Sequence, residues 1–152
     1  MIFDGMTRKG YVPERQYVFQ AVRFWYRPLT VGMRAKYLDT IDRQTTVVGR
    51  ESVSCGMLAL QLVDWDLHYA ADHPDAEKRS QKVPTNDPDL LYQTLDPFLQ
   101  RAVTGIIVGI FASALDPQDT VDERVAAAQQ EGLTPRQMME LLSQQETAQV
   151  KN

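Results

Sequence analysis

Asp64, Asp66, His68, Asp72, His73 and Asp75 form the densest group of side chains in this sequence that could do chemistry. Carboxylates and imidazoles hold metal ions when their spacing aims them at one point. The spacing here does not. His68 and His73 stand five positions apart, which fits neither the H-E-x-x-H helix nor a common zinc ligand pair. A calcium loop would need a central glycine and a closing glutamate, and the segment has neither. It reads as a solvated acidic loop with no metal. Cys55 is the only cysteine, so the chain contains no disulfide framework. It lies between Val53 and Met57 in a helical apolar pattern and reads as a small buried hydrophobe. No G-x-S-x-G, Walker or G-x-G-x-x-G sequence is present. No pair of carboxylates is singled out for acid–base work. The expectation is a protein that is not an enzyme and uses no cofactor.

The strongest pattern is instead one of shape. Tyr17 to Thr30 reads as one long strand with apolar residues on both faces. Val18, Val22, Phe24 and Tyr26 point one way and look like core. Tyr17, Phe19, Ala21 and Trp25 point the other way. A strand of this kind must be covered on both sides. Tyr17, Phe19 and Trp25 are therefore the candidate partner-binding residues, since tyrosine and tryptophan are favoured at interface centres.

The elements around this strand follow from caps and periodicity. Thr30 caps a helix from Val31 to about Arg43, with Val31, Ala35, Leu38 and Ile41 on one side. A second helix runs from about Thr46 to Val63, weakened by Gly49 and Gly56. Asp64 to Tyr69 alternates and reads as a strand, with Trp65 and Leu67 inward. After the acidic loop, Val83 forms a brief edge strand that Pro84 ends. Asp87-Pro88 and Asp96-Pro97 each open a helix, the second reaching about Ala114. That helix carries Leu99, Val103, Ile106, Ile107, Ile110 and Phe111 and is the expected core helix. Gly105 and Gly109 mark a place where another element packs close to its backbone. Capping boxes at Thr120-x-x-Glu123 and Thr134-x-x-Gln137 start two short helices separated by Gly132.

The predicted fold is α+β and mainly helical. It has a small antiparallel sheet of two or three strands, about four helices and a C-terminal helical hairpin. Residues 1–13 read as a flexible arm, 14–116 as a single α+β domain, and 117–152 as the hairpin and tail. A chain of 152 residues with net charge -4 can bury one core without staples. The acidic balance argues against a nucleic-acid backbone as partner. The N-terminus has no secretory pattern. The apolar run Ala102–Leu115 is shorter than the roughly 20 residues a membrane span needs. A cytoplasmic protein is expected.

The order of motifs carries a resemblance. An aromatic strand ends in Tyr26-Arg27-Pro28. A helix ends in Leu62-Val63-Asp64-Trp65-Asp66-Leu67, and a polar loop leads to Lys82-Val83-Pro84-Thr85. Asp89-Leu90-Leu91, Leu95 and an apolar helix through Ile106 and Ile107 follow. From Tyr17 to Leu115 this resembles the small tail assembly chaperones of long-tailed bacteriophages. The length of the loop 69–81 and the region after Asp116 depart from that pattern. The resemblance implies a non-enzymatic role in the host cytoplasm. Such a protein binds the tape-measure protein, keeps it soluble, and yields to the tail tube protein. A homo-oligomer is compatible with that role. The competing readings are a small phage or mobile-element adaptor, such as a head–tail joining protein, and an enzyme of unknown type.

Overall fold

The structure, a computed structural model, describes residues 7–119. The chain divides into two units, Met1–Ala114 and Leu115–Asn152. The first is α+β. In chain order it contains β1 (Arg8–Val12), β2 (Val22–Tyr26), α1 (Val31–Arg43), α2 (Val47–Gln61), β3 (Leu62–Trp65), α3 (Pro88–Thr94) and α4 (Pro97–Val108). The three strands form an antiparallel sheet in the order β1-β2-β3. The hairpin expected over 117–152 lies almost wholly outside the described residues.

Phe24 sits at the centre of the sheet, paired with Gly10 on one side and Trp65 on the other. Val22, Phe24 and Tyr26 are buried, as expected of the core face, but Val18, expected beside them, lies in the turn that precedes β2 and is 38% exposed. Leu58, Leu91, Leu99, Val103 and Ile107 cover that face from α2, α3 and α4. Trp65 is fully buried, and its indole Nε1–H donates to the Val83 carbonyl at 2.6 Å. Trp65 and α4 thus share one core.

Several boundaries differ from expectation. The stretch read as an N-terminal arm supplies β1. Its apolar content is only Tyr11 and Val12, bounded by Gly10 and Pro13, so it carries little strand signal. Only pairing with β2 makes it a strand, and Gly10 is needed there because a Cβ would enter the Phe24 ring. The long strand expected from Tyr17 to Thr30 is only Val22–Tyr26. Residues 15–19 instead close a tight turn, in which Arg15 and Phe19 exchange backbone hydrogen bonds at 3.0 and 3.1 Å. Finally, α4 stops at Val108. Gly109 takes φ +87, and the Ile110 and Phe111 amides fold back onto the Gly105 carbonyl. This is a glycine-terminated helix end. Ile110 and Phe111 are therefore beyond the helix and exposed, with the Phe111 ring lying where a Cβ on Gly105 would be.

The remaining helices begin where their caps predict. Thr30 Oγ1 accepts the Met33 N–H at 3.2 Å, and Asp87 and Asp96 each accept two first-turn amides. The second helix ends at Gln61, and β3 starts at Leu62 rather than Asp64. Gln61 locks that junction: its carbonyl accepts the Arg27 N–H, and its side-chain amide donates to the Arg27 carbonyl, both at 2.8 Å.

Candidate functional site

The alternation that would put Tyr17, Phe19 and Trp25 on one face is broken before the strand begins. Tyr17 has φ +64, a left-handed conformation that is costly for a bulky residue. Its side chain is 97% exposed at the tip of the 14–20 loop. Phe19, two residues on, turns inward and packs against the core. Trp25 lies on β2, half-buried, on the sheet face opposite Phe24. Its cross-strand neighbours are Lys9 and Asp64. The three residues therefore occupy three environments. Tyr17 and Trp25 face away from the core, and Phe19 does not.

Three exposed aromatic or apolar positions near these elements escape a reading by periodicity. Phe98 is nearly half exposed at the start of α4, with the Arg15 guanidinium 3.9 Å from its ring centre. That cation–π contact fastens the 14–20 loop to the helix. Pro97 gave the helix start, but nothing in the sequence says that Phe98 points outward. Leu60 and Val63 are 74% and 44% exposed at the α2–β3 junction. They lie beside an open groove described below.

The acidic and histidine cluster is dispersed among structural tasks. Asp64 accepts the Trp65 N–H at 2.9 Å and the Lys82 ammonium at 3.0 Å. The Lys82 hydrogen bond, first, holds the Asp64 carboxyl below its ordinary pKa, and the Trp65 amide adds to this. Asp66 accepts the Arg23 N–H at 2.8 Å and faces its guanidinium at 3.5 Å. His68 Nδ1–H donates to the Asp66 carbonyl. His73 Nδ1 accepts the Asp75 N–H at 3.0 Å, and its ring stacks edge-on to Tyr69. Among the described residues no group of three or more histidine, cysteine and acidic side chains is placed to hold a metal.

Cys55 is buried in α2. Burial first, and then the nearby Glu51 charge, push its thiol above the ordinary value. That is the opposite of what an attacking thiolate requires. Tyr37 is also raised, chiefly by burial, while its 2.8 Å hydrogen bond to Ser54 opposes the shift. This contact joins α1 to α2.

No family model, curated protein or solved structure matches the chain. Among the described residues no helix is long and apolar enough to cross a membrane.

Proposed function

We propose that this protein is a tail assembly chaperone of a long-tailed phage. It binds the tape-measure protein in the host cytoplasm and keeps it soluble until tail tube protein replaces it. The observation that carries the reading is Tyr17, a large aromatic residue held in a left-handed backbone with its side chain almost wholly in solvent. Such a conformation costs about 1 kcal/mol or more, and no packing of the side chain against the described residues offsets it. A contact with another protein would. Trp25, on the sheet face away from the core, extends the candidate surface. The motif order from Tyr17 to Leu115 supplies the family expectation.

The physical task suits a small acidic protein. A tape-measure protein exposes apolar helix faces and would aggregate alone. Many copies of a weak binder would cover those faces and still release them when tube subunits compete. The function is binding alone, without a catalytic step.

Co-expression with the proteins encoded beside it tests this. The wild-type chain should hold a long helical partner in the soluble fraction. Tyr17→Ala with Trp25→Ala should lower the amount of soluble partner while the isolated double variant keeps its melting temperature. An interface anchor of this type is worth about 2 kcal/mol or more. Capture of no partner from its own gene cluster would end the chaperone reading. A stable closed ring of the protein alone would replace it with a head–tail joining role.

A further inference from the structure

The two edges of the sheet are treated differently. The outer edge of β1 is covered by the segment after α4: Tyr11 N–H donates to Ser113 Oγ at 2.8 Å, and Tyr11 O accepts the Ala114 N–H at 3.3 Å. On the other side, the described residues cover only the continuation of β3. Residues 81–83 run antiparallel to 67–69, with Val83 N–H bonded to Leu67 O and Tyr69 N–H bonded to Gln81 O. Continued straight, this segment would pass along Trp65 towards Leu62. It does not. Pro84 has no N–H to offer a ladder, and the Val83 carbonyl is taken by the Trp65 indole. Among the described residues no backbone hydrogen bond joins 84–86 to Leu62–Asp64. An open groove of about 500 Å³ lies there instead, between β3 and the departing chain.

The groove has a definite chemistry. Leu60 and Val63 give it an exposed apolar wall. Asp64 and Lys82 neutralise one another at 3.0 Å. Arg27 stands at the Leu62 end of the groove and makes no ion pair with any described residue. The groove therefore offers one uncompensated positive charge on a chain whose net charge is -4.

We infer that this groove binds an extended apolar segment of a partner protein, laid antiparallel to β3 in the lane that the chain leaves at Pro84. An Asp or Glu side chain near the C-terminal end of that segment meets Arg27. The lane beside Leu62–Asp64 is about 10 Å long, room for three residues at strand spacing. Pairing at a sheet edge supplies backbone hydrogen bonds, and the neighbouring pockets and charge supply selectivity. The inference does not rest on the chaperone reading, because neither Tyr17 nor Trp25 lines the groove.

Fluorescence anisotropy with the full chain tests it. The probes are fluorescein-labelled Val-Thr-Val-Glu amide, the same peptide with Gln in place of Glu, and that Gln peptide with a free C-terminal carboxylate. The Glu peptide should bind saturably and about three- to fivefold more tightly than the Gln amide, the range of an exposed ion pair. Arg27→Gln should abolish the preference, and Leu60→Ser should weaken both peptides. Each variant alters an exposed side chain, and circular dichroism should show the native fold. Absence of saturable binding, equal binding of the two amides, a preference that survives Arg27→Gln, or no effect of Leu60→Ser would each overturn the proposal. If the free-acid Gln peptide matches the Glu amide, a chain terminus is the occupant, and the acidic side chain proposed here is wrong.

Discussion

At Gly10 and at Gly105 an aromatic ring occupies the space a side chain would need, yet the two sites respond differently to substitution. The ring over Gly10 belongs to Phe24, which is fully buried and cannot swing away. Gly10→Ala should therefore cost about 1–3 kcal/mol, as overpacking does. The ring over Gly105 is Phe111, about half exposed and outside the helix. It can rotate out, and alanine gains helix propensity, so Gly105→Ala should cost less than Gly10→Ala. Urea unfolding of the two variants decides the order; a larger loss at Gly105 would mean that Phe111 is held in place. Asp64 carries the one pH-dependent expectation. Its folded carboxyl titrates lower than in the unfolded chain, chiefly because Lys82 donates to it. That contribution is present above the unfolded value of about 4 and fades as pH falls through the lower folded value. The pair is half exposed, so its effect on stability is small. Lys82→Met should move the Asp64 midpoint upward in an NMR titration, and an unmoved midpoint would show that the Trp65 amide alone sets it.

The helices were legible because their starts are written in single residues. Thr30, Asp87-Pro88 and Asp96-Pro97 each satisfy first-turn amides locally, whatever the rest of the chain does. The apolar stripe of α4 likewise fixes which of its faces is buried. Ile107→Ala in that stripe should cost about 2–5 kcal/mol, and a loss below about 0.5 kcal/mol would show that the helix does not carry the core. α1 behaves differently. It buries no residue completely, and Val31 is 88% exposed. Val31→Ser should change stability by no more than about 0.5 kcal/mol in thermal unfolding. Strands were less legible because a strand is stabilised by its neighbours. β1 has two large apolar residues and the composition of a loose arm, while Tyr17–Phe19 has the right composition for a strand and forms a turn. The same holds for the candidate surface: a period of two puts Phe19 outward, and the left-handed Tyr17 interrupts that period and turns it inward.

All the buried residues of the core cluster lie between Val12 and Val108, inside the first of the two units. A chain ending near Gln118 should therefore remain folded and soluble, with a single cooperative thermal transition; unfolding on truncation would assign residues after Gln118 to the stability of the whole. Composition alone pointed to an acidic, single-core protein without staples, because charge and length act on the whole chain rather than through contacts. Caps and the α4 stripe determined where the helices start and which face of α4 is inward, because those interactions span only three or four residues. The buried choice of Val22, Phe24 and Tyr26, and of Trp65 with them, was also readable, since alternation survives wherever the backbone stays extended. Three things were decided by the tertiary structure: the recruitment of Arg8–Val12 as a strand, the separation of Tyr17 from Phe19 and Trp25, and the groove beside β3. Each depends on pairing or packing between residues far apart in the chain. The free energy of those contacts appears only when both partners are in place, so no local pattern records it.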